Sequence, residues 1–145
     1  MHFSSRLSLT AVLFFGSLLG IATTDLRADL VWSAATGWRV EGSALSGLSG
    51  AEGGTALELM NRARANGESG RLRSAVKAYV NVGQRYPYSV YAPEAIYRAA
   101  RLDLLRKRYG KSFEAYQTVL LRYPNSKRFN EIIGEQYRIA SAVLD

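Results

Sequence analysis

No cysteine occurs in this 145-residue chain, and there are only one histidine and three prolines. The missing cysteines exclude thiol catalysis, zinc–thiolate sites and disulfides. The one histidine, His2, lies at the extreme N-terminus, so general acid–base work would fall to carboxylates, lysine or tyrosine. Glu94, Asp103, Glu114, Glu131 and Glu135 show no paired-carboxylate spacing, and each suits a helix surface. No serine nucleophile elbow, phosphate loop or metal-ligand spacing is present, and the glycines at 42, 47, 50, 53 and 54 do not form a GxGxxG turn. The expectation is a protein that is not an enzyme, with no cofactor, no metal and no small-molecule substrate.

Acidic residues are also scarce. The net charge is +7, and between Ala56 and Asp145 there are 16 Lys and Arg against 8 Asp and Glu. Such an excess keeps a surface solvated and attracts anionic partners: an acidic protein, lipid headgroups or nucleic acid. The cations are spread over several predicted helices and no nucleic-acid motif accompanies them, so nucleic acid is not expected.

One long apolar run exists, from Leu7 to Ala22, preceded by Arg6. Its length suits the core of a secretory signal, and Ala22 and Ala28 both offer cleavage points. A membrane-spanning anchor needs ~20 apolar residues. Residues 1–28 are read as a signal peptide, and the chain as exported. Residues 29–54 read as an extended segment, carrying Trp32 and Trp38, then a linker with five Gly and three Ser from Gly42 to Gly54. The tryptophans either dock on the following body or mark a small strand pair, or else engage a partner.

The rest is periodic. Arg85-Tyr86-Pro87-Tyr88-Ser89 returns as Arg122-Tyr123-Pro124-Asn125-Ser126, 37 residues later. A period in the thirties marks stacked helical units. Thr55 and Glu58 form a capping box opening a helix to about Ala65, with Ala56, Leu59, Met60 and Ala63 on one face. A second helix carries Leu72, Ala75, Val76, Tyr79 and Val82 and stops before Pro87. A third opens at Ala92-Pro93-Glu94 with Ile96, Ala99, Leu102 and Leu105 as its stripe. A fourth spans about Lys111–Arg122 with Phe113, Tyr116, Val119 and Leu120, and a fifth about Phe129–Leu144 with Phe129, Ile133, Tyr137, Ala140 and Leu144. The fold class is all-α: antiparallel helix pairs stacked as a short solenoid over residues 55–145.

Gly70, Leu72, Ala75, Tyr79 and Pro87 resemble the second half of a tetratricopeptide repeat. Tyr109, Ser112, Tyr116 and Pro124 repeat the order, but Lys107 stands where the glycine belongs, which predicts a distorted turn. About two and a half repeats result. The phrase from Arg85 to Ala95 is similar to repeats of the outer-membrane assembly lipoprotein BamD family, although the lipid-anchoring cysteine of that family is missing. The resemblance implies a protein-binding scaffold in the periplasm, at the inner face of the outer membrane, whose partner is an envelope or outer-membrane assembly component. It also leaves open peripheral association with the membrane. The cell-wall and division protein CpoB uses similar repeats and supplies the alternative, as does an accessory repeat domain of a larger protein.

Arg64, Arg101 and Arg138 recur at intervals of 37 on the first, third and fifth helices. Tyr97, four residues before Arg101, is expected to share their face. These four residues are the candidate partner-binding strip, since guanidinium groups bond carboxylates bidentately and stack on aromatics. Plain repeat periodicity would place the arginines in the same way.

Overall fold

The computed structural model describes residues 29–41 and 50–144. The expected signal peptide and residues 42–49 of the linker lie outside the described residues. Strands β1 (Asp29–Ser33) and β2 (Gly37–Glu41) pair antiparallel with Trp32 opposite Trp38. Five helices follow: α1 (Gly50–Glu68), α2 (Leu72–Arg85), α3 (Tyr91–Leu105), α4 (Tyr109–Arg122) and α5 (Phe129–Leu144). Consecutive helices pack against one another, and α1 also touches α3.

The α1–α2 and α3–α4 turns are built alike. At the first, Arg71 N–H donates to Asn66 carbonyl (2.8 Å) and Gly70 N–H to Gly67 carbonyl (3.1 Å). At the second, Arg108 N–H donates to Asp103 carbonyl (2.8 Å) and Lys107 N–H to Leu104 carbonyl (2.9 Å). This is the left-handed closure that satisfies the last carbonyls of a helix, normally with glycine. Gly70 has φ +77° and Lys107 has φ +56°. The distortion expected at Lys107 is therefore absent: the lysine adopts the glycine conformation. The Tyr-Pro stops also match, with Tyr86 at φ −128°, ψ 57° and Tyr123 at φ −131°, ψ 60°. The Tyr123 hydroxyl donates to the Pro87 carbonyl at 2.6 Å, tying one stop to the other.

Two apolar clusters fill the interior. The first gathers Trp38, Met60, Tyr79, Val82, Tyr86 and Tyr91 around alanines of α1 and α3, and the second gathers Tyr97, Tyr116, Val119, Ile132 and Ile139. Burying one such side chain is worth ~1.5–3 kcal/mol. At Gly83 a Cβ would come 2.6 Å from Ile96 Cγ1, so the missing side chain lets α2 lie close on α3.

Two expectations are corrected. Helix α1 starts at Gly50, so the linker ends earlier and Thr55 lies inside the helix rather than capping it; it also continues to Glu68. Ala56, Met60 and Ala63 are buried, and the Tyr91 hydroxyl reaches the Gly53 carbonyl at 3.4 Å, so packing overrides the weak helix propensity of the glycines. On α5 the expected Phe129–Ile133–Tyr137–Leu144 face is exposed, and Ile132, Glu135 and Ile139 are buried. A spacing of four drifts around a helix of 3.6 residues per turn, whereas steps of three and four hold one line. Residues 29–41, read as extended with a small strand pair as one reading of the tryptophans, form that pair. Among the described residues no helix is long and apolar enough to cross a membrane.

Candidate functional site

The hairpin is held on α1 by its backbone. Trp38 N–H donates to Asn61 Oδ1 (2.8 Å), and Asn61 Nδ2 donates back to Trp38 carbonyl (3.2 Å). Gly37 makes this approach feasible: its φ is +73°, and a Cβ there would meet Asn61 Oδ1 at 2.5 Å. The Trp38 indole is buried, with Trp32 edge-on at 6.5 Å and the Arg98 guanidinium 5.1 Å from its ring centroid. Asp29 forms an ion pair with Lys127 in the α4–α5 connection. The hairpin thus bridges α1, α3 and the approach to α5.

A cleft of about 260 Å³ remains between the tryptophans and the two helices, lined by Trp32, Arg64, Arg98, Arg101 and Leu105 among others. Two members of the arginine row meet here. Arg64 is chelated by Glu68, with both carboxylate oxygens at 2.8 Å from Nη1. Arg101 is exposed, has no carboxylate bonded to it among the described residues, and lies 6.0 Å from the Tyr97 ring centroid. Arg138 is not part of the cleft lining; it is exposed near the end of α5 and pairs with Glu135.

Tyr97 does not stand on the surface with the arginines. It is fully buried in the second cluster, 6.0 Å from the Tyr116 ring. The reason was present in the sequence: Tyr97 lies 37 residues after Met60, which belongs to the core stripe of α1 and is likewise fully buried. The face of Tyr97 instead carries cations, with Arg128 4.8 Å from its centroid. Its hydroxyl donates to Glu131. Burial, then that carboxylate, pushes the Tyr97 phenol up to about 12. The bond from Tyr97, opposed by partial burial and helped by Arg128, holds Glu131 below the usual carboxylate range.

An ionic chain links these groups. Arg98 donates to Glu94 at 2.8 Å, Glu94 accepts from Arg128 at 3.2 and 3.3 Å, and Arg128 donates to Glu131 at 3.1 Å. It runs from the Trp38 indole to the first turn of α5. Glu94 and Glu131 stand 37 residues apart; the reading of the sequence did not single out Arg98, Arg128 or Asn61. A signal existed for two of them: Asn61, Arg98 and Glu135 occupy one repeat position, three residues before the arginine row. The residue at that position on α1 and on α3 touches the hairpin. Chemically, an indole edge beside an unpaired guanidinium suits a chain that brings an apolar side chain together with a carboxylate. Among the described residues no group of three or more His, Cys, Asp or Glu is placed to hold a metal ion.

No protein-family model matches this chain, and comparison with curated proteins and with solved structures finds no match.

Proposed function

We propose that this chain is a non-catalytic protein-binding scaffold of the tetratricopeptide type, exported to the periplasm and working in outer-membrane protein assembly in the manner of the BamD family. The observation that carries the reading is the recurrence of one turn: Gly70 and Lys107, 37 residues apart, share the left-handed conformation and the same pair of hydrogen bonds. Successive helix pairs set by one repeated turn are how repeat proteins present a binding surface. The cleft of Trp32, Arg64 and Arg101 is the partner-binding site in this reading, and Arg138 extends the row towards a longer partner segment.

The test is affinity purification of the full chain from membrane extracts of its host. Recovery of the β-barrel assembly machinery supports the proposal; recovery of peptidoglycan synthases instead replaces it with a cell-wall scaffold. Arg101→Glu reverses charge in the cleft without touching the core, so it should abolish partner recovery while leaving helicity unchanged. Recovery of intact Met1 at the N-terminus of the mature protein would overturn export by a cleaved signal.

A further inference from the structure

A second groove lies on a different side of α2. Tyr79 of α2 faces the tryptophan cleft, whereas Arg73, Lys77, Val80 and Gln84 lie ~100–160° around the helix from it. This groove has a volume of about 730 Å³, and its rim carries Arg73, Lys77, Arg85, Arg106 and Arg108. Among the described residues no carboxylate lines it. Among the described residues only Arg106 of the five has a carboxylate partner, Asp103. Like charges gathered without counter-charges repel one another, and a polyanion relieves the repulsion.

An independent observation falls in the same place. Lys107, the non-glycine residue with positive φ, lies between Arg106 and Arg108 in the turn that supplies two of the five cations. A lysine is strained where the preceding repeat uses glycine, and strain retained at one position points to a role there. Lys107 does not itself line the groove, but it is exposed and flanked by two arginines that do, so its charge adds to the positive field at this end.

The lining narrows the occupant. Val76 and Val80 contribute apolar surface and Asn81 and Gln84 contribute amides, which suit the side chains and backbone of a peptide. Among the described residues no aromatic side chain lines the groove to stack bases, as single-stranded nucleic acid binding requires. We infer that the groove of α2 and the α3–α4 turn is a docking site for an acidic, extended protein segment, with Lys107 kept at a glycine position as one of its cations. This inference does not depend on the tryptophan cleft or on the outer-membrane assembly reading.

Fluorescence anisotropy of the purified chain with a labelled peptide alternating glutamate and valine tests it. Binding is expected, weakening steeply as salt rises from about 0.05 to about 0.3 M. Arg73→Glu with Lys77→Glu should weaken it by about tenfold or more. Lys107→Asn, which tolerates positive φ but removes the charge, should weaken it by about two- to fivefold. Arg122→Glu, an equal charge reversal on α4 outside both the groove and the tryptophan cleft, should leave it unchanged, which separates the groove from a plain net-charge effect. Circular dichroism of each variant confirms that the helices persist; should the double reversal unfold, Arg73→Gln with Lys77→Gln takes its place. Absence of peptide binding, binding insensitive to the Arg73 and Lys77 changes, or equally tight binding of oligothymidylate or of phosphatidylglycerol vesicles would each overturn the inference.

Discussion

The two helix-pair turns differ in sequence, down to the residue that takes the positive φ, and agree in backbone. Gly70 and Lys107 both sit in the left-handed region, and both turns close with hydrogen bonds to equivalent carbonyls. The glycine is therefore not what forces the geometry. Ala75, Tyr79 and Val82 on one side and Ser112, Tyr116 and Val119 on the other, each set spaced alike and buried, fix how the helices meet. The turn residue then adapts, at a cost when it carries a Cβ. The same contrast extends inward: the Ser112 hydroxyl donates to the Ala100 carbonyl at 2.9 Å where Ala75 has no polar group, and Tyr116 buries a hydroxyl that has no hydrogen-bond partner among the described residues.

If packing sets the register, its tyrosines should matter most. Tyr79→Ala and Tyr116→Ala are each expected to cost about 3–5 kcal/mol, read from chemical denaturation. An unchanged midpoint for either would break the equivalence of the two units. Tyr116→Phe sharpens the comparison, because removing an unpartnered buried hydroxyl should stabilise the fold by about 1 kcal/mol. Next comes the hairpin, which joins the first unit. Gly37→Ala places a Cβ against Asn61 and strains a positive φ, so it should release the hairpin at a cost of about 1–3 kcal/mol. A red shift of tryptophan emission with unchanged helical circular dichroism is the expected signature.

The turns themselves should exchange smaller amounts. Lys107→Gly should raise stability by about 1 kcal/mol and Gly70→Lys should lower it by a similar amount. Equal and opposite shifts in melting temperature would show that the two turns are interchangeable. A last effect is confined to alkaline pH. Tyr97 titrates at about 12 in the fold against 10.0 for a free phenol, so the folded state favours the neutral form. That stability is fully present below pH 10 and lost as pH rises through about 12. The melting temperature should fall over this range, with a shallower slope for Tyr97→Phe.

Much of the helical order was legible. The two Tyr-Pro stops marked the ends of α2 and α4, because proline restrains the residue before it. Helix α5 spans the expected residues, but its four-residue spacing named the exposed face and not the buried one. The start of α1 was hidden, because glycines at 50, 53 and 54 become helical only through packing. The candidate site was half legible. A 37-residue count found Arg64 and Arg101, but treating Tyr97 as a neighbour of Arg101 ignored that the same count tied it to Met60. Asn61 gave no local sign, since its role exists only once the hairpin arrives.

The hairpin has a further consequence, in time rather than in space. Helix pairs join neighbours in the chain, whereas Trp38 meets Asn61 23 positions away and Asp29 meets Lys127 98 positions away. Closing longer loops costs more entropy and slows assembly. The hairpin is thus made before every described helix, yet its contact at Asp29 waits until Lys127 has been made. Its two tryptophans make that final docking a spectroscopic clock separate from the formation of the helices.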